Sequence, residues 1–197
     1  MTKDAAIWHP PDAARAPMNR YREHVNKKYN QNLKDTQELH KWTVDHNPEF
    51  WVDLYSYLNF VPPLPKDMEK SYDPLLTMSS IPPFFKGHNI NYAENALFSN
   101  PDPNAVALIG LKEGQDGEEK VTWQQLREKV RTVSSALRRH EIQEGERVAA
   151  LVGNSVWAIV LFLACATNGV IYSSINPDLG TEVRRMDSPI RHNIDLP

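Results

Sequence analysis

The densest run of apolar positions lies between Glu144 and Gly180, EGERVAALVGNSVWAIVLFLACATNGVIYSSINPDLG. Polar residues cut it at Gly153-Asn154-Ser155 and at Asn168-Gly169. At the first cut, Asn154 or Ser155 can accept a hydrogen bond from the free N–H groups that open a helix. At the second, Asn168-Gly169 can supply the left-handed residue that closes one. Val156 to Ala166 is apolar all round, the pattern of a helix buried on most faces. Its flanks, Arg147 to Val152 and Val170 to Ile175, have strand length. Strand, helix and strand make a βαβ unit, whose strands should be parallel neighbours joined by a right-handed crossover.

Upstream the period changes along the chain. Met18, Tyr21, Val25 and Tyr29 recur at helical spacing. A second helix should follow Asp35, with Asp35 and Glu38 as a capping box and Leu39 and Trp42 on its buried side. A third should start with Asn47 as cap and Pro48 at its first position, burying Phe50, Trp51, Leu54 and Leu58. The ordinary reading of that aromatic stripe is packing between helices. Val61 to Phe85 carries prolines at 62, 63, 65, 74, 82 and 83, so it can hold neither a long helix nor a central strand. It reads as an extended strap pinned by Leu75, Leu76, Ile81, Phe84 and Phe85. Gly87 to Phe98 should hold a short helix that packs Tyr92, Ala93 and Leu97 inward. Ala105 to Leu111 reads as a strand, with Lys120-Val121 returning antiparallel to it. Thr122 and Gln125 form a capping box before a helix whose apolar stripe is Leu126, Val130, Val133 and Leu137. No internal repeat is visible.

The pattern gives an α/β class: a helical leader, then an α/β domain with a parallel βαβ unit and an incomplete sheet. The expected division is 1–98 helical and extended, 99–180 α/β, and 181–197 a divergent tail. Composition changes this little. A formal charge of −3, mixed along 197 residues without a basic block, gives no support for nucleic-acid or membrane-surface binding. The single cysteine, Cys165, excludes an intrachain disulfide and fits a reducing compartment. The N-terminus lacks an apolar core of signal-peptide length, and the 11 apolar residues from Val156 fall short of the roughly 20 that span a bilayer. A soluble cytoplasmic protein is the expectation.

Candidate chemistry is sparse. Neither the Walker loop nor G-x-G-x-x-G occurs. The turn at Gly153-Asn154-Ser155 could offer N–H groups to an anion, although simple capping explains it as well. The same turn gives G-x-S without the final glycine of a nucleophile elbow. The histidines show no metal-ligand spacing, and an apolar setting should raise the Cys165 thiol pKa.

Four colinear segments nevertheless resemble one family. Met18 to Leu58 carries W-T-V and F-W signatures, and Phe84 to Leu97 reads FFKGHNINYAENAL. Val121 to Leu137 reads VTWQQLREKVRTVSSAL, and Gly145 to Gly180 carries G-E-R-V-A and Y-S-S-I-N-P-D-L-G. Together they are similar to the acyl-CoA synthetase branch of the adenylate-forming enzymes, most closely its acetoacetyl-CoA synthetases. Lys86 stands where that family usually has proline, and Ile90 where it has leucine. The resemblance implies a ligase that uses ATP and Mg2+ to turn acetoacetate into an acyl-adenylate, which the thiol of coenzyme A then converts to a thioester. It places Asn176, Pro177, Asp178 and Gly180 on the coenzyme A side, where a plain turn is an equally good reading.

The family's Thr-Gly-x-Pro-Lys phosphate loop and its C-terminal domain with the catalytic lysine have no counterpart in this sequence. The chain alone is therefore expected to take no cofactor and to be inactive, as a truncated N-terminal fragment of an acetoacetate–CoA ligase. Self-association through an open sheet edge is expected with it. The alternatives are a non-catalytic remnant that binds a partner, such as a full-length synthetase, or a fragment of an acetyl- or propionyl-CoA synthetase. The NYAEN stretch argues against the last.

Overall fold

A computed structural model of the chain describes residues 11–80, 83–111, 114, 117–175 and 177. These divide between His88 and Asn89 into two compact units, each with its own core.

The first unit is helical. Helix α1 (Pro17–Tyr29) opens on proline, whose missing N–H costs no helical bond there, and closes on Asn30 at a φ of 52°. Helix α2 (Thr36–Asp45) is capped by Asp35, whose carboxylate accepts from the Gln37 and Glu38 N–H groups, both at 2.9 Å. Glu38 reaches back to the Lys34 N–H at 2.6 Å, so the reciprocal half of the expected box lands one residue early. Helix α3 (Asn47–Tyr57) includes Asn47 rather than being capped by it. The Asn47 side chain is engaged elsewhere, accepting from the Tyr72 hydroxyl at 2.9 Å.

Tyr21, Val25, Leu39 and Trp42 form this unit's core, with Phe50 and Leu54 packed against it. The expected stripe on α3 is only half right. Trp51 and Leu58 are 38% and 50% exposed, and the buried residues are Pro48, Asp53 and Tyr55. The face turns because a carboxylate inside the unit must meet its hydrogen-bond donors, and those lie on α1.

From 61 to 85 the chain forms no strand among its described residues, and its one helical turn is the short Met78–Ser80, in keeping with its prolines. Its anchors are only in part those expected. Leu75 and Leu76 are exposed, and Ile81 lies outside the described residues. Polar bonds also hold the strap. Ser71 N–H donates to Pro48 O at 3.0 Å, Phe85 N–H to Ser71 O at 2.6 Å, and Tyr55 O–H to Pro62 O at 2.7 Å. Backbone groups without a strand partner have to be satisfied singly, which is why polar contacts rather than leucines fix this segment. Of the five expected anchors, both phenylalanines meet α3: the Phe85 ring lies 5.2 Å from that of Tyr55, and the half-exposed Phe84 ring 6.0 Å from that of Trp51.

The second unit begins with α4 (Tyr92–Leu97), shorter than the Gly87–Phe98 segment expected to hold it. Asn91 caps it by accepting from Glu94 N–H at 3.1 Å, and the same side chain donates to Ala166 O at 3.0 Å. Ala93 and Leu97 are buried, whereas Tyr92 stays 63% exposed with its ring 5.5 Å from Phe162. Strands β1 (Val106–Gly110) and β2 (Glu119–Thr122) pair antiparallel. Helix α5 (Trp123–Arg139) follows through a complete capping box, Thr122 N–H to Gln125 Oε1 at 2.9 Å and Gln125 N–H to Thr122 Oγ1 at 3.3 Å. Leu126, Val130, Val133 and Leu137 all lie at 4% exposure or less, each burial contributing about 1.5–3 kcal/mol.

Strands β3 (Arg147–Leu151) and β4 (Ile171–Ile175) are parallel, with α6 (Val156–Thr167) between them in sequence. The βαβ unit is therefore present, and the β1–β2 ladder forms a separate two-stranded sheet. Helix α6 buries Val160, Ala164 and Cys165 completely but leaves Ile159 and Phe162 partly in solvent. Gly169 ends the helix with φ at +67°, where a Cβ would come within 2.8 Å of the Glu144 Cγ. Asn168 closes α6 and joins it to α5, its carbonyl accepting from Ser134 Oγ at 3.1 Å and its amide donating to Ala164 O at 3.2 Å.

Candidate functional site

In open α/β sheets, ligands gather at the carboxyl ends of parallel strands. Here the register pairs Leu151 with Ile175, so β3 and β4 end at the same level. The turn into α6 leaves from one end and the chain toward Pro177 from the other. Beside that turn lies an open cleft of about 280 Å3, lined by Leu108, Gly110, Asn154, Ser155, Val156 and Ile159 among others. At Gly110 β1 approaches α6 closely, since an added Cβ would sit 3.0 Å from Val156 Cγ2.

The chemistry of this cleft is limited. Among the described residues its polar side chains are Asn154 and Ser155, and no charged or histidine side chain lines it. Ser155 occupies the cap position of α6, but its side chain makes no capping hydrogen bond, unlike Asp35, Asn91 and Thr122 in theirs. Among the described residues no three His, Cys, Asp or Glu side chains meet in a way that could hold a metal ion. Of the sequence candidates, Pro177 lies just beyond β4, and Asn176, Asp178 and Gly180 lie outside the described residues. Cys165 is buried, and burial pushes its thiol up to about 11, as its apolar helix led us to expect.

The strongest electrostatic cluster is in the first unit, and sequence reasoning missed it. Asp53 is 2% exposed. Its carboxylate accepts from Tyr21 O–H at 2.9 Å, lies 3.1 Å from His24 Nε2, and pairs with Lys28 Nζ. Burial alone would raise the carboxyl pKa, but bonds from Lys28, His24 and Tyr21 outweigh it and hold it below the usual range. Burial, then Asp53, drives the Tyr21 phenol well above its ordinary value. Tyr21, His24 and Lys28, at i, i+3 and i+7, share one face of α1; that spacing, with one acid inside the FWVDLY stripe, was the available signal. The cluster ties α1 to α3.

Sequence and structure comparisons agree on a single lineage. The AMP-binding enzyme family matches residues 96–186. Acetoacetyl-CoA synthetase of Danio rerio is 34% identical over 174 residues, covering 88% of this chain and 25% of that protein. Malonamoyl-CoA synthetase of Penicillium aethiopicum is 33% identical, covering 88% of this chain and 24% of that protein. The solved acetoacetyl-CoA synthetase of Streptomyces lividans superposes with a TM-score of 0.74 at 26% identity, covering 86% of this chain and 26% of that one. The chain is homologous to the N-terminal part of acetoacetyl-CoA synthetase. It spans about a quarter of the length of these relatives. The AMP-binding family implies ATP, Mg2+ and coenzyme A for the full-length relatives. The described residues do not fit a magnesium nucleotide, since the cleft beside α6 has neither a cation nor a carboxylate.

The same residues bear on the membrane question. No described helix is long and apolar enough to cross a membrane.

Proposed function

We propose that this chain is the N-terminal framework of an acetoacetate–CoA ligase: it supports the activating site and does not itself contain it. The reading is carried by similarity that runs through both units, covering 88% of the chain, rather than through the AMP-binding segment alone. In this role α5 and α6 share the core beside a parallel pair that ends flush, and Asn176, Pro177, Asp178 and Gly180 belong to the coenzyme A side. ATP, Mg2+, acetoacetate and coenzyme A would then be held by sequence beyond the residues described here. The division into a leader over 1–98, an adenylate-forming portion over 99–180 and a tail from 181 belongs to this proposal, as does a cytoplasmic setting.

A specific observation favours a second substrate reading. The malonamoyl-CoA relative is 33% identical, level with the acetoacetyl-CoA relatives. Both acids carry a carbonyl β to the carboxylate, so the acid could be either of these two.

Grafting tests the framework role. Residues 11–175 replace the corresponding segment of the Streptomyces lividans enzyme, and pyrophosphate release is measured with acetoacetate. A chimera active with acetoacetate, beside a lone chain that gives no ATP–pyrophosphate exchange, is the expected result. A folded chimera without activity, or exchange by the lone chain, overturns the assignment.

A further inference from the structure

The strap of the first unit holds a hollow of about 630 Å3 between two of its arms, residues 68–76 and 83–86. Two contacts fix how the arms face each other. Phe85 N–H donates to Ser71 O, and the Tyr72 ring lies 4.9 Å from that of Phe84. The pairing runs in opposite senses, 71 with 85 and 72 with 84, so the next positions, Lys70 and Lys86, stand across from each other. Both lysines line the hollow. Like charges set opposite one another destabilise a paired segment, and only one of these two is offset. Glu49 lies 3.7 Å from the Lys70 ammonium, whereas no described acid pairs with Lys86. Asp73 lines the hollow as well, but its Oδ1 is engaged by Leu75 N–H at 2.9 Å.

The rest of the wall is of two kinds. Ser71 is 1% exposed, and its hydroxyl has no hydrogen-bond partner among the described residues, a rare state for a buried polar group. Met68, Pro74, Leu75, Leu76 and Pro83 are apolar, and both leucines are exposed. We propose that this hollow binds a carboxylate that carries a short apolar body, of which a medium-chain fatty acid is the simplest case. The carboxylate sits between Lys70 and Lys86, relieves their repulsion and offers the Ser71 hydroxyl an acceptor. The apolar body covers Leu75 and Leu76. A bare anion would leave that wall in water, and a neutral apolar molecule would leave the lysines facing each other, so neither matches the lining as well. The site lies wholly within the first unit and is independent of the ligase reading.

Titration of the full chain with octanoate tests the site, followed by calorimetry and at the methyl resonances of Leu76. Saturable binding is expected in the parent. Lys86→Gln and Lys70→Gln should each weaken it about fivefold, the size of one exposed ion pair. Lys66→Gln, an exposed lysine outside the lining, should leave it unchanged. Inorganic phosphate and octanol, which each carry half of the ligand's chemistry, should bind roughly tenfold more weakly than octanoate. Lys86 is exposed and faces a like charge, so Lys86→Gln should melt no lower than the parent, which separates lost binding from lost folding. Absence of saturable octanoate binding, equal affinity in the parent and Lys86→Gln, or phosphate or octanol binding as tightly as octanoate overturns the proposal.

Discussion

Replacing Asp53 with asparagine keeps the shape of the buried side chain and removes its charge. In the parent the carboxylate accepts from Tyr21 O–H, faces His24 Nε2 and pairs with Lys28. Asparagine can still accept from Tyr21, but its amide then turns N–H groups toward two donors. Breaking a buried ion pair costs about 3–5 kcal/mol. Lys28, however, is 49% exposed and can swing into water, which removes part of that cost. The remaining loss is one charge-assisted bond and one mismatched contact, about 2–3 kcal/mol. Lys28→Met, which leaves the carboxylate its two other partners, should cost only about 1 kcal/mol.

Urea unfolding followed at the methyl resonances of Val25, at 0% exposure in the same core, measures both. With a slope of about 1 kcal/mol per molar for a unit this small, Asp53→Asn should lower the midpoint by about 2 M. The pH dependence supplies a second arm. A carboxyl held below its ordinary value stabilises fully above that value and loses the effect as pH falls through the folded pKa, so the parent should weaken below about pH 5. The acid limb should flatten in Asp53→Asn. An Asp53→Asn midpoint within 0.3 M of the parent, or an unchanged acid limb, would refute the account of the cluster.

Further outcomes follow from the second unit and the sheet edges. Cys165, with its thiol pushed up to about 11, should resist alkylation at pH 8 in the native chain and react on unfolding; mass spectrometry distinguishes the two, and rapid native labelling contradicts the buried placement. Gly169→Ala places a Cβ at φ +67° against Glu144 and should lower stability by about 1–2 kcal/mol. Adding Glu144→Ala should recover only the steric share, as judged by thermal melting. Thr122→Ala removes one half of the α5 capping box and should cost about 1 kcal/mol, with helix content falling at the onset of melting. Ile171 on β4 is 50% exposed. If the open edge drives self-association, Ile171→Lys should reduce concentration-dependent sedimentation, whereas a parent that stays monomeric over the tested range would dismiss that idea.

What sequence alone made legible was what depends on local chemistry. The stripe of α5, the Asp35 and Thr122 caps and the Gly169 stop all stand where short-range rules put them. The misreadings lie where a distant partner overrides the local pattern. Asn47 looks like a cap, but Tyr72, 25 residues later, engages its side chain. Trp51 and Leu58 fit an apolar stripe, yet α3 turns Asp53 inward to meet donors on α1. Leu75 and Leu76 look like strap anchors because they are apolar, while the strap is tied to α3 by a backbone bond to Pro48, by the Tyr55 hydroxyl on Pro62 O and by its two phenylalanine rings. At the candidate site, the flush ends of β3 and β4 were readable as a βαβ unit, but the cleft beside them, where the described lining is uncharged, became visible only from the packing of β1 against α6.

The Asp53 cluster also has a direction in time. Its acceptor lies 25 to 32 residues after its three donors, so during synthesis Tyr21, His24 and Lys28 emerge first and wait for it. At about 5–20 residues per second, the donor face of α1 stands open on the ribosome for about 1–6 s before the carboxylate arrives. Donors that wait in water lose nothing, whereas a carboxylate buried before its partners existed would have stalled the collapse of this unit. The order of the residues along the chain thus has the partners in place before Asp53, the charge that the described helical unit encloses.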